Sequence, residues 1–338
     1  MTGKRARRTP ARETTISDIA EAAGVSKATV SRVMNGVATV GEDIAERVRR
    51  AVEELGYTRS ETARSLSLGV SRTIGVVVPD LANPMFHQVL HGLHRAAARE
   101  DYRVLIADTL EKSAGEAAVV VDVRNRTDAV VLFAPRMTRE ELDALLPRVA
   151  PVVVLNRTTG ERAGSVLVDY EAGVRELAEH LVDRGHRRLA YLAGPPESRS
   201  NEARQRGLES VRADRADVEV LEIPCGHAFA DGHAAWPAVR ASGATAVVAF
   251  NDVVALGLLG RLAEEGVRVP GDLAVAGFDD IPFAQFSSPS LTTMTARLAE
   301  IGERLWETLR AEMRGEADRT PVIFAPELAP RASTGGPA

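Results

Sequence analysis

The 338-residue chain has little of what several classes of protein require. Its one cysteine, Cys225, excludes an intramolecular disulfide and any site built from several thiolates. Aromatic residues make up only 4% of the chain, which argues against a large aromatic binding platform. No apolar run approaches the roughly 20 residues that cross a bilayer, and the basic N-terminus leads into polar residues instead of an apolar signal core. We therefore expect a cytoplasmic protein of the bacterial nucleoid region that makes no membrane contact.

The motifs of common enzymes are also missing. The chain has no glycine-rich dinucleotide motif, no phosphate-binding loop, no nucleophile elbow and no His-Glu-x-x-His pair. The neighbouring carboxylates Asp279 and Asp280 could form an acid–base pair or a metal site, but adjacent side chains point in different directions. We predict no catalytic residues, no metal and no cofactor. A solute-binding protein for transport is a second alternative, which the missing export signal and the basic N-terminal region oppose.

The net charge of −5 hides an asymmetry along the chain. Residues 1–72 contain 13 Lys and Arg against 9 Asp and Glu, whereas the remainder contains 29 against 38. A basic N-terminal region on an acidic body predicts a module that binds a polyanion. Residues 1–13 of this region are either a solvated disordered tail or an arm that contacts phosphates without reading sequence.

Residues 14–58 have the pattern of a small helical domain. Thr15 is a predicted N-cap, Gly24 ends the first helix, Ser26 caps a second helix, and a third helix is predicted over 42–55. Two short helices joined by a glycine-centred turn and braced by a third are the layout of a helix-turn-helix DNA reader. A generic three-helix bundle with solvated faces would show the same spacing.

Residues 15–36, TISDIAEAAGVSKATVSRVMNG, resemble the N-terminal signature of the lactose-repressor family (LacI/GalR) of bacterial transcription regulators. The resemblance implies that Lys27, Ala28 and Arg32 face base edges. A forked guanidinium suits guanine and an alanine methyl suits the methyl group of thymine, which agrees with this assignment. The resemblance places a further set of residues at phosphates or helix ends, namely Thr15, Ser26, Thr29, Ser31 and Asn35.

Residues 59–72 join the head to the body and contain few apolar side chains, which on its own indicates a flexible linker. Residues 62–66 resemble the hinge helix of the same family. This implies that Leu66 wedges into a minor-groove step and that Ala63 lets two hinge helices of a dimer approach each other. Five residues are too few to stay helical alone, so we expect the hinge to order only on DNA.

Residues 73–334 alternate short apolar segments with amphipathic ones. This alternation predicts parallel sheets covered by helices on both faces, and about 260 residues favour two doubly wound lobes with a ligand crevice between them. The predicted strands are 73–78, 103–107, 129–133, 152–155, 166–168, 189–193, 218–223, 246–250 and 273–277. The predicted helices are 86–99, 140–146, 172–184, 201–212, 253–265 and 298–314.

The family resemblance extends through this body and implies a periplasmic-binding-protein-like effector domain whose last helix returns to the first lobe. Polar residues follow several predicted strands, where each could cap the next helix or together they could bind a polar ligand. Asn156 stands where many sugar-responsive members have Asp, and His227, otherwise an exposed loop histidine, stands near a stacking position. The predicted effector-binding residues are Phe86, Asn156, Arg204, His227, Asn251 and Asp279.

Together these observations predict a regulator with an all-α helix-turn-helix head and a two-lobed α/β body. We expect a homodimer that represses transcription by binding a pseudo-palindromic operator in double-stranded DNA. We expect a small polar metabolite, such as a sugar, to control that binding allosterically.

Overall fold

The computed structural model describes residues 14–34, 40–56 and 70–335, and the chain divides into two compact units between Ser71 and Arg72. We call residues 14–56 the head and residues 72–335 the body. The predicted basic arm, Asn35 and the hinge residues Ala63 and Leu66 lie outside the described residues. In the described part of the chain, no helix combines the length and apolarity that crossing a membrane takes.

The head contains three helices around a small apolar core, as predicted. They are α1 (Ile16–Ala22), α2 (Lys27–Met34) and α3 (Glu42–Glu54). Ile19, Val30 and Val48 are fully buried where the three helices meet. Gly24 has φ +64°, a conformation that glycine adopts without strain, and it turns the chain between α1 and α2.

The body alternates strands and helices along the chain. Its strands are β1 (Thr73–Val78), β2 (Arg103–Asp108), β3 (Ala129–Phe133), β4 (Val152–Leu155), β5 (Gly164–Val168), β6 (Arg188–Ala193), β7 (Glu219–Pro224), β8 (Ala246–Ala249), β9 (Ala274–Ala276), β10 (Thr293–Thr295), β11 (Val322–Phe324) and β12 (Glu327–Ala329). Its helices are α4 (Pro84–Ala98), α5 (Glu116–Arg124), α6 (Arg139–Val149), α7 (Tyr170–Asp183), α8 (Arg199–Asp214), α9 (Phe229–Ala234), α10 (Trp236–Ser242), α11 (Asp252–Glu264), α12 (Pro282–Phe286) and α13 (Leu298–Arg314).

The first lobe is built on a six-stranded parallel sheet in the order β11-β5-β4-β3-β1-β2. Strands β3 and β4 are buried along their whole length, which explains their unbroken apolar sequences. Helix α13 returns to this lobe and crosses α4 closely. A Cβ added at Gly302 of α13 would lie 2.1 Å from the carbonyl oxygen of Val89, so only glycine fits there.

The second lobe is built on a four-stranded parallel sheet in the order β7-β6-β8-β9, beside an antiparallel pair formed by β10 and β12. In each sheet the strand order reverses next to the first strand of the lobe, β1 or β6. Ligands of doubly wound folds bind in the crevice outside the carboxyl ends of the strands at such a point. The predicted two-lobed α/β architecture is therefore confirmed.

The nine predicted strands and six predicted helices of the body are all present, with ends shifted by at most three residues. Seven short elements were not predicted, namely β10, β11, β12, α5, α9, α10 and α12. The three strands have only three residues each, too few to show a period, and the antiparallel pairing of β10 with β12 departs from the purely parallel expectation.

Hydrogen bonds fix the C-terminal segment to the second lobe. The Thr334 hydroxyl lies 2.9 Å from Nε2 of His180 and 2.7 Å from the Thr292 hydroxyl. The Ser333 hydroxyl donates to the Val275 carbonyl at 2.6 Å and accepts from the Thr292 amide at 2.8 Å. The segment thereby satisfies backbone groups at the edge of the sheet beside β9.

Candidate DNA-reading helix and effector cleft

Helix α2 presents the predicted DNA-reading side chains on its outer surface. Lys27, Ala28 and Arg32 are exposed, whereas Val30 on the opposite face is fully buried. Among the described residues, the Arg32 guanidinium makes one hydrogen bond, from Nε to the Ala28 carbonyl at 3.4 Å. The remaining N–H groups of this guanidinium are placed to serve an external acceptor, and contact with base edges stays a prediction.

The hydroxyl residues of the predicted DNA surface mostly hold the ends of helices. Thr15 caps α1 in a capping box, in which its hydroxyl accepts the Asp18 amide at 3.4 Å and its own amide donates to the Asp18 carboxylate at 2.7 Å. The Ser26 hydroxyl accepts the Thr29 amide at 3.1 Å and so caps α2. Ser31 is half-buried on the next turn. These contacts fit the helix-end alternative, and phosphate contact by the same hydroxyls stays a prediction.

At the centre of the body, Arg204 of α8 lies inside an aromatic cage. Its guanidinium carbon is 4.3 Å from the ring centre of Tyr170, 4.2 Å from that of Phe278 and 4.7 Å from that of Phe250. Arg204 is only 2% exposed. Such cation–π contacts favour a guanidinium that has lost its water.

Asp279 lies next to this cage but does not form a hydrogen-bonded ion pair with Arg204. Its Oδ1 is 3.8 Å from Nη2 of Arg204, beyond hydrogen-bond length, and Nε of Arg204 is buried without a partner among the described residues. Burial raises the pKa of Asp279 to about 7, against the opposing effect of the Arg204 charge. The two groups can therefore still accept and donate hydrogen bonds to a ligand.

Two further carboxylates surround Asp279 and have structural partners. Asp252 is fully buried and accepts hydrogen bonds from the Thr293 hydroxyl at 2.6 Å and the Ile281 amide at 2.9 Å. Burial, reinforced by the charge of Asp279, raises its pKa. Asp280 instead pairs with Arg331 at 2.6 Å. Asp279 and Asp280 thus face different partners, as expected for adjacent residues.

Backbone strain is present at two predicted effector residues. Asn156 and Asp279 have positive φ, at 60° and 109°, as does the neighbouring Asp280 at 52°, and such values are costly for residues with a Cβ. Tertiary contacts hold them there, including the 2.9 Å hydrogen bond from the Asp279 amide to the Met294 carbonyl. Strained residues of this kind cluster at binding sites in folded proteins.

The other predicted effector residues fall into two groups. Asn156 donates to the Tyr170 hydroxyl at 2.9 Å, which connects it to the Arg204 cage. Asn251 caps α11 through the Val254 amide and donates to the His227 carbonyl at 3.3 Å. His227 in turn lies 3.7 Å from Asp80, which belongs to the first lobe.

Phe86 belongs to the first lobe, and its contact with an effector stays a prediction. It is 3% exposed and packs inside the first lobe with its ring centre 6.1 Å from that of Phe133. Sequence reasoning missed the cage rings Tyr170, Phe250 and Phe278 as site residues. Phe250 ends a predicted strand, Phe278 directly follows one and Tyr170 lies two residues beyond one, so their positions near strand ends could have identified them.

Comparison with known proteins agrees with this architecture. Residues 15–60 match the family of bacterial regulatory proteins called the lacI family, and residues 178–334 match the periplasmic binding protein-like domain. The chain is 32% identical to the HTH-type transcriptional repressor PurR of Vibrio vulnificus over 94% of this chain and 97% of that protein. It is also 32% identical to the HTH-type transcriptional regulator GalS of Salmonella typhimurium, over 94% and 96%.

Solved structures show the same organisation. The Lac repressor dimer bound to operator and the anti-inducer ONPF superposes with a TM-score of 0.84 at 25% identity, over 96% of this chain and 100% of that one. A complex of the transcriptional regulator CelR with cellobiose gives a TM-score of 0.69 at 26% identity, over 95% and 100%.

A helix-turn-helix head joined to a two-lobed ligand-binding body defines a DNA-binding regulator that is not an enzyme. The chain belongs to the lacI family of bacterial regulatory proteins. It is an effector-controlled transcriptional repressor of that family.

Proposed function

We propose that this repressor binds a pseudo-palindromic operator as a homodimer and that a small polar metabolite of the sugar class controls it from the cleft. The observation that carries the effector assignment is the buried Arg204, whose Nε has no partner within the part of the chain that the structure describes and whose neighbour Asp279 lies 3.8 Å away. An unsatisfied donor next to a partly ionised acceptor, both enclosed by protein, is costly unless a ligand or water satisfies them.

A polyhydroxylated ligand has the chemistry that this pair requires. Asp279 can accept two hydroxyl hydrogens and the guanidinium of Arg204 can donate to hydroxyl or ring oxygens. The cellobiose held by the similar CelR structure supports a ligand of this class.

The head supports binding to DNA through the exposed face of α2. In the proposed complex each protomer reads one half-site, which makes the operator pseudo-palindromic. The Lac repressor dimer bound to operator, with which this chain superposes, supports a dimer. Residues 62–66, with Ala63 and Leu66, are the proposed hinge that orders at the centre of the operator.

Control follows if the effector binds one arrangement of the two lobes better than the other. An inducer would favour the arrangement that separates the hinges, and a corepressor would favour the opposite one. The effector can shift operator binding only by its difference in affinity for the two states.

A gel-shift assay with a palindromic duplex tests this function. We expect salt-sensitive retardation, because binding releases counterions from the DNA. Asp279→Ala should abolish the response to effector while operator affinity without effector survives. Asp272→Ala is the control, because Asp272 is an exposed carboxylate of the same lobe whose ion pair, among the described residues, is with Arg268. An unchanged response in Asp279→Ala would place the ligand elsewhere.

A further inference from the structure

A second pocket with a volume of about 420 Å³ lies between the two lobes. One wall comes from the first lobe, after β4 and along β5, and the other comes from the first two turns of α8. It shares Asn156 and Tyr170 with the site described above. Its most distinctive lining residues are four arginines, Arg139, Arg157, Arg199 and Arg206.

Arg157 is the buried member of this group, at 6% exposure. Its Nη1 donates to the carbonyl oxygens of Pro135 and Met137, at 2.9 Å each. Its Nε and Nη2 have no hydrogen-bond partner in the described part of the chain, although they are not sealed from solvent. Nor does any carboxylate of the described residues lie within ion-pair distance of Arg157. A buried guanidinium without a counter-ion is unfavourable, so this one has unused capacity for an anion.

The other three arginines each have one acidic partner. Arg139 lies 3.0 Å from Asp143, Arg206 lies 2.8 Å from Glu171, and Arg199 pairs with Glu202. Glu202 also lines the pocket, and it is used by Arg199. The four arginines therefore outnumber their carboxylate partners by one, and the excess charge belongs to the buried Arg157.

Like charges also face each other across the pocket. Burial lowers the pKa of Arg157, and the positive charges of Arg199 on the opposite lobe and of Arg139 lower it further, against the opposing charges of Glu116 and Glu202. An anion between the two walls would replace this repulsion with two attractions. Helix α8 begins at Arg199, and Ser198 gives its N-terminus no side-chain cap, so amide N–H groups add to the positive potential there.

We propose that this pocket is the anion-binding subsite of the effector cleft, where a phosphate or carboxylate of the metabolite joins Arg157 of the first lobe to Arg199 of the second. Guanidinium groups bind both anions through paired hydrogen bonds. The subsite narrows the effector to an acidic derivative of a polar metabolite, and its role in control rests on the function proposed above. By attracting both walls, the anionic group favours the closed arrangement of the lobes.

Thermal-shift titrations at constant ionic strength test the subsite. We expect inorganic phosphate to raise the melting temperature above the value in matched chloride, because a ligand that binds only the folded state stabilises it. The same titration with glucose 6-phosphate, gluconate and glucose compares a phosphate, a carboxylate and a neutral sugar. The larger rise in melting temperature identifies the anionic group that the subsite prefers. Both acidic compounds should bind more tightly than glucose.

Arg199→Gln should weaken phosphate binding about tenfold or more, because one charge-assisted contact is lost. Arg206→Gln should weaken it in the same direction. Arg175→Gln is the matched control, since Arg175 is 45% exposed on α7 away from the pocket and Arg199 is 43% exposed. Arg157→Gln would also break two contacts to the backbone, so these more exposed residues are the decisive variants.

The proposed subsite would be wrong if phosphate raised the melting temperature no more than chloride does. It would also be wrong if Arg175→Gln and Arg199→Gln weakened phosphate binding equally. A gel shift by the ligand-free protein tests the regulator independently. If the operator is not bound but phosphate binding still depends on Arg199, the proposed function fails and the subsite stands. If the operator is bound and only neutral sugars release it, the subsite fails and the regulator stands.

Discussion

The ionisation of Asp279 should make effector affinity depend on pH. Burial among apolar and aromatic side chains raises the pKa of Asp279 to about 7, and the Arg204 charge offsets only part of that effect. The carboxylate is the form that accepts two hydroxyl hydrogens, so effector binding should favour loss of the proton. Effector affinity should therefore rise with pH through the range around the pKa of Asp279 and level off above that range.

The size of the effect follows from the pKa. A carboxyl group with a pKa of about 7 is about one-tenth ionised one pH unit below that value and about nine-tenths ionised one unit above it. Affinity should thus increase about tenfold across these two pH units, which corresponds to about 1.4 kcal/mol. Asp279→Asn keeps the shape of the side chain but cannot ionise, so its profile should be flat.

Isothermal titration calorimetry measures both affinity and proton release when it is repeated in buffers of different ionisation enthalpy. The ligand for this experiment is the effector found by thermal-shift screening. A flat wild-type profile, or a full slope retained by Asp279→Asn, would show that Asp279 does not control effector affinity.

Two further predictions concern the head and the stability of the body. Arg32→Ala should weaken operator binding by about 1–3 kcal/mol and relax the preference at one base pair, as measured by gel shifts on single-substituted operators. Arg49→Ala on α3 is the control and should change neither the affinity nor the base preference. If both variants had the same effects, Arg32 would not read a base. Burial and the Arg184 charge lower the pKa of His180 from 6.5 to about 4, so the unfolded chain takes up a proton before the folded one does. The free energy of unfolding should consequently fall by about 3 kcal/mol as the pH drops from 6.5 to about 4. In urea denaturation, His180→Gln should lose less stability than the wild type over this pH range. Equal losses in the two proteins would show that His180 is not the source of the acid sensitivity.

The predictions from sequence succeeded where neighbouring residues decide the structure. The capping box of Thr15, the turn at Gly24 and the outward face of α2 depend on residues within four positions of each other, so their spacing is visible in the chain. Three polar residues at strand ends, Asn83, Asp169 and Asn251, also cap the following helices as the alternative interpretation held.

The predictions were incomplete where distant segments meet. Strand β11 has three residues and exists because β5, more than 150 residues earlier, offers it a parallel edge. The strands β10 and β12 likewise form only as a pair. No local period marks such elements, because their hydrogen bonds come from partners far along the chain.

The sequence by itself determined that this is a basic helical reader joined to an acidic, two-lobed body, because composition, caps and apolar periods are local properties. Only the tertiary structure decided what Arg204 and Arg157 do. The cage around Arg204 brings together Tyr170, Phe250 and Phe278 from separate segments, and the pocket at Arg157 needs both lobes. Burial and long-range charge set the chemistry of these groups, and both depend on contacts that the order of residues does not display.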